Sequence, residues 1–145
     1  MIPNGTIDIA FEQLPPAFQT LAFERAKERD GHPAVVGVLG ESVVIHVIGE
    51  TSNLHSVWIT LVNDDRAIIA GYNALVMAGL FFQVFRGNAY LAMETVSRLL
   101  KIRQSAIVHI DGDEKRAIDV SIEEETGTIT IGIIPKGGSD GKLLQ

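Results

Sequence analysis

The side chains able to do chemistry in this chain are few and scattered. His46, Glu50 and His55 are zinc-ligand types, but His46 sits in a β-branched run and the others in or beside a polar stretch, at spacings that fix no common face. They read as a strand histidine bonded to backbone and two loop residues. His32, between Gly31 and Pro33, also reads as a loop residue. His109 alternates with Ile107 and so projects toward a second layer or another subunit, where an imidazole is a pH-sensitive contact; the structural role is the simpler assignment.

Asp111-Gly112-Asp113-Glu114 opens like a calcium loop, yet Lys115 holds the next alternate position and Ile122 the twelfth, where a glutamate is required. A hairpin turn with Gly112 at a permissive backbone angle accounts for every residue there. Lys136 to Lys142 is glycine-rich, but its spacing is not that of a phosphate loop. No serine lies in a nucleophile elbow, and no two carboxylates are paired as acid and base. The sequence therefore predicts no catalytic, metal-binding or cofactor-binding residue.

The elements that would position any site are clearer. Nineteen consecutive residues, Ala67 to Phe85, carry no charge, and Ala70, Ala74 and Ala78 recur along one helical line. A helix apolar around its circumference cannot face water. It must lie centrally, pack against a partner chain, or enter lipid. Its length meets the lower limit for spanning a bilayer. Asn73, Gln83, two glycines and the amphipathic neighbours argue instead for a buried helix of a soluble protein. The small-residue line admits another backbone, and Phe81, Phe82 and Phe85 add contact area at the far end.

Before this helix, Pro15 and Pro16 open a predicted helix whose apolar side is Phe18, Leu21, Ala22 and Ala26, stopped by Gly31 and Pro33. Ala34 to Leu39, Ser42 to Ile48 and Val57 to Val62 are β-branched runs, with a tight hairpin at Gly40-Glu41 and a polar loop over 49–56. Asn63 or Asp64 is the expected cap of the apolar helix. Asn88 caps a second one running to about Gln104, with Glu94, Ser97, Arg98, Lys101 and Gln104 on its wet side and Leu91, Val96, Leu99 and Ile102 mostly opposite. Ala106 to Ile110, then Ile118, Val120 and Ile122, then Ile129, Ile131 and Ile133 form a three-strand meander with one dry face.

The expected fold is α+β: one domain over 1–135, an antiparallel sheet of about six strands in the order α-β-β-β-α-α-β-β-β, with helices on one face. A weak alternation at Thr6 to Phe11 allows an extra N-terminal strand, and 136–145 is an expected flexible glycine-rich tail. That element order is loosely similar to small acidic secretion chaperones and to profilin-like or sensor domains, in topology alone.

With 12 basic and 18 acidic residues the formal charge is −6, which argues against nucleic acid, where phosphate neutralisation supplies most affinity. Residues 111–125 hold seven carboxylates against two cations. The absence of cysteine excludes a disulfide framework and fits a cytoplasmic, reducing location. Met1 to Phe11 is polar and not expected to act as a secretory signal.

These features predict a non-catalytic interaction or assembly protein, acidic and homo-oligomeric, compatible with a chaperone, a toxin-neutralising or inhibitory protein, or a virus-encoded structural one. The expected interface is Ala70, Ala74, Ala78, Phe81, Phe82 and Phe85, with Asp119 and Glu123 offered to a partner's basic surface. The alternative is a small-molecule binding or sensing domain with a pocket between sheet and helices, lined by Phe81, Phe85, Tyr90 and Trp58 with polar tips from Asn73 and His109.

Overall fold

The computed structural model describes residues 5–62 and 66–136. The expected caps Asn63 and Asp64 lie outside the described residues, as does all of the expected tail except Lys136. In chain order come a 3-10 turn Phe11–Gln13, α1 Pro16–Gln19, β1 Glu24–Arg29, β2 His32–Leu39, β3 Val43–Glu50 and β4 Asn53–Val62. Then follow α2 Ala67–Phe85, a 3-10 turn Arg86–Asn88, α3 Ala89–Ile102, β5 Ala106–His109, β6 Arg116–Glu123 and β7 Thr128–Pro135.

The strands form one antiparallel seven-stranded sheet in the order β1-β2-β3-β4-β7-β6-β5. Two local meanders thus meet where β4 pairs with β7, from Val57↔Ile133 to Val62↔Thr128. Between them the chain leaves the sheet centre, runs through α2 and α3, and re-enters at the far edge as β5. The fold is α+β with the helices packed on one face.

Register explains which side is dry. Val47, Val57, Ile133, Ile118 and Val108 stand in one row across five strands, and Ile45, Ile59, Ile131 and Val120 in the next. These pack under Met77, Leu80, Phe81, Val84 and Phe85 of α2 and Ala92 and Val96 of α3. The intervening rows, His46–Trp58–Gly132–Asp119–Ile107 and Val44–Thr60–Thr130–Ser121, face the other way by the strand period of two.

The helix expected from Pro15 to Gly31 is a single turn followed by an edge strand. Phe18 is buried, but Asp30 and Gly31 both take positive φ and close a tight hairpin. β1, Glu-Arg-Ala-Lys-Glu-Arg, is exposed along nearly its whole length, so no alternation marks it as a strand, while its charges suit an edge that must not pair further. This conversion supplies the seventh strand.

The polar loop expected over 49–56 contracts to a turn at Thr51-Ser52 with a bulge at Gly49. His55 and Ser56 are instead buried in β4, with His55 Nδ1 2.8 Å from Ser56 Oγ and the His32 and His55 rings 4.7 Å apart. On α3, Val96 is buried as expected, while Leu91 and Ile102 are exposed.

Thr6 to Phe11 is not a regular strand, because Asp8 has φ 57°. It is still anchored to the sheet: Ile7 N–H donates to Leu54 O (2.9 Å), and Leu54 N–H donates to Ile9 O (2.8 Å), along the part of β4 that β7 does not reach. Arg116 fixes the segment from the side, donating from Nε to Ile7 O (2.6 Å) and from Nη1 to Asp113 Oδ2 (3.0 Å).

Across the centre of the sheet the indole of Trp58 lies over Gly132: a Cβ built there would sit 2.3 Å from the ring. The ring cannot simply swing away, since its Nε1–H donates to Ser56 Oγ at 3.0 Å. Gly132→Ala is expected to lower unfolding free energy by about 1–3 kcal/mol in urea titration, the range for overpacking a filled site. Most of that loss should vanish in a Trp58→Val background, giving a coupling energy in a double-mutant cycle.

Candidate functional site

α2 is built in two halves around its axis. Asn73, Met77, Leu80, Phe81, Val84 and Phe85 point inward. Ile68, Leu75 and Phe82 point outward and are 84, 73 and 69% exposed. They are spaced by seven, which drifts only about 20° per repeat, so they make one stripe along the helix. Gly71 and Gly79 flank it with open space where their side chains would be.

The 18-residue window of highest mean hydropathy (1.8) in the helical stretch Ala67–Ile102 qualifies as a membrane span by length and composition, yet 39% of it is buried against the chain. α2 is therefore neither a sealed core helix nor a free rod. It is half embedded, with an apolar outer side.

The expected interface residues separate accordingly. Phe81 and Phe85 pack edge to face in the protein's own core, 5.7 Å between centroids. Phe82 alone of the three phenylalanines is outward. Ala78 is half-buried. Ala70 and Ala74 are turned away from the outer stripe, Ala74 by about 100° from its neighbour Leu75, and line a cleft shared with α3. Ile68 and Leu75 were missed by following small residues; the seven-residue spacing that ends at Phe82 is the signal that finds them.

This cleft, about 380 Å³, opens between α2, α3 and the sheet. Leu61, Ile129 and Ile122, the end row of the helix-facing side, form its floor, with Met77 and Leu100. Asn73 stands in the wall with both ends of its amide engaged: Oδ1 accepts from Ser42 Oγ (2.8 Å) and Nδ2 donates to Val62 O (3.1 Å). It pins α2 to the ends of β3 and β4. Lys101 and Arg103 stand at the rim, Arg103 paired with Glu124 at 3.0 Å.

Of the residues expected to line a pocket under the helices, Asn73 is the one in this cleft. Trp58 and His109 face the opposite side of the sheet, and Tyr90 is 82% exposed at the start of α3. Strand parity is the reason: Trp58 lies between core-facing Val57 and Ile59, and His109 follows core-facing Val108.

On the sheet's other face a recess of about 300 Å³ is lined by Arg29, His46, Trp58, Thr60 and Thr130. Burial, with a smaller contribution from Arg29, holds the His46 imidazole below its ordinary value. Asp119, two strands from Trp58 in the same row, is shifted upward by burial, partly offset by the Ser121 hydroxyl that donates to it at 3.1 Å. Glu123 is exposed at the end of β6.

The other chemistry-bearing groups do not converge. Among the described residues no three of His, Asp and Glu are placed to hold a metal ion. In the 111–116 turn, Asp113 Oδ1 accepts from the amides of Lys115 (3.0 Å) and Arg116 (2.9 Å), and Gly112 has φ 87°. It is a side-chain-capped hairpin turn.

Comparison of the chain with protein-family models, curated proteins and solved structures gives no match.

Asp119 yields a pH test. Because its folded-state value is raised, its stabilising contribution is complete below the ordinary carboxylate value of 3.8 and is lost as pH rises through the raised value. Asp119→Asn should therefore be more stable than wild type in chemical denaturation at pH 7, with the difference closing below pH 3.8.

Proposed function

We propose that this protein is a non-catalytic assembly and interaction module that self-associates through the outer face of α2. The observation that carries the reading is the stripe Ile68, Leu75 and Phe82, strongly exposed on a helix with no charged residue from Ala67 to Phe85. Three large apolar side chains in line, with glycines between them, make a continuous patch of the sort that marks an interaction site.

A second copy of the chain is the partner that matches. In a two-fold arrangement each surface must complement itself. An uncharged stripe meets that condition without opposing like charges, whereas most of the remaining surface of a chain at −6 would repel its twin. Gly71 and Gly79 let the facing helix approach closely. The exposed carboxylates Glu123 and Glu125 are left free in such a pair and suit a partner with a basic surface, chiefly through association rate and selectivity.

Light scattering coupled to size exclusion tests this directly. Wild type at 50–100 μM (about the range where a modest interface saturates) should elute as a dimer, and Leu75→Glu as a monomer. Circular dichroism should change little in the variant, since Leu75 is 73% exposed, and its melting should match that of wild type diluted until it is monomeric. A wild-type monomer at several hundred micromolar (about −5 kcal/mol of association at best) would overturn the proposal.

A further inference from the structure

Independently of self-association, we infer that the cleft between α2, α3 and the β4–β7–β6 end of the sheet binds a small amphipathic monoanion, an alkyl carboxylate. The evidence is the pairing of an apolar interior with a cationic rim. The volume, about 380 Å³, falls in the range of small-ligand sites, toward its lower end. Leu61, Ile122, Ile129, Met77 and Leu100 present hydrocarbon. The small side chains of Ala70 and Ala74 keep the α2 wall back, where longer ones would reach toward Ser97 and Leu100 of α3. The alanine line thus makes room for a guest.

The polar groups choose its charge. Among the described residues no carboxylate lines the cleft, so none of them offers a counter-charge to a cationic ligand there. Asn73 is held in place by Ser42 and Val62 and brings no charge to the cleft. At the end of α3, the Leu99 and Leu100 carbonyls are taken by the amides of Gln104 (3.0 Å) and Arg103 (3.3 Å), so the helix terminus presents no free acceptor among these. What remains at the rim is the Lys101 ammonium, which has no ion-pair partner among the described residues, with Ser97 one turn earlier and Arg103 held by Glu124. One free ammonium above a hydrocarbon floor matches one carboxylate on a hydrocarbon tail. Two or three phosphate charges would be under-matched.

Calorimetric titration with hexanoate, octanoate and decanoate, each below its aggregation limit, is the test. Affinity should rise about three- to fourfold per added methylene until the cleft is full. Octylammonium should bind at least tenfold more weakly than octanoate, and Lys101→Glu should weaken octanoate by a similar factor. Ala74→Phe, which fills the cleft from α2, should abolish binding. Ser97→Phe fills it from α3 and serves if the first variant melts early. Methyl NMR of Met77, Leu100, Ile122 and Ile129 should show the shifts on titration.

Absence of heat and of methyl shifts with all three acids would overturn the inference. So would undiminished binding in a folded cleft-filled variant, or equal affinity for octylammonium. Light scattering on the same samples reads self-association separately, so either proposal can fail without the other.

Discussion

The pairing of β4 with β7 is the constraint on which the rest depends. Every other strand pair joins neighbours in sequence, but Val57↔Ile133 brings together residues separated by the whole helical excursion and two strands. Once those strands are side by side, the link from the centre of the sheet to β5 at its edge must cross over β7 and β6. α2 and α3 are that crossing. The same pairing aligns Ile45, Ile59, Ile131 and Val120 into one row, so the two meanders share a single dry face for the helices to cover. Closing so long a loop is entropically costly, and the contiguous burial of β-branched side chains on both sides of the seam offsets it.

From that seam follows the placement of each group with chemical potential. Parity sends Trp58, His46 and Asp119 away from the helices, where Gly132 gives the indole a flat bed and partial burial shifts the two ionisable neighbours toward their neutral forms. It sends Leu61, Ile129 and Ile122 toward the helices, at the end where α2 and α3 leave a gap. Asn73 sits where that gap meets the sheet. Its bonds to Ser42 and Val62 turn what would be an unsatisfied polar group in an apolar helix into the tie that sets how far α2 stands off.

The sequence was legible where local pattern and tertiary role agree. The alternation of Ile118, Val120 and Ile122 with polar residues, and of Ile129, Ile131 and Ile133, marked the second meander; the uncharged run marked α2 to its observed ends. It misled where a strand is wet on both faces. Glu24 to Arg29 carries no alternation to read, and Phe18, Leu21 and Ala22 mimic a helical stripe, although Asp30-Gly31 is a hairpin signal in plain view. His55 and Ser56 looked like loop because their burial rests on mutual hydrogen bonding, which no single residue displays. For the sites, residue type without parity put Trp58 and Asn73 in one pocket; the register across β4 and β7 places them on opposite faces.

An excess of apolar helix surface is the structural fact that links the two proposed activities. A rod of nineteen uncharged residues over one sheet can bury only the side that faces it, and the side chains Ile68, Leu75 and Phe82 lie well outside that sector. Had the chain needed α2 only as a lid, polar residues at those positions would have served, as Glu94, Arg98 and Lys101 serve on α3. Retaining large apolar groups in water carries a solubility cost that a monomer gains nothing from. The alanines on the neighbouring sector work in the opposite sense: they withhold bulk at a place where packing against α3 would welcome it. One sector of the helix holds large exposed apolar groups, and the next holds only small ones beside an open cleft. On the two proposals, an added helix from a second copy would cover the first, and a small guest with a charged end would fill the second.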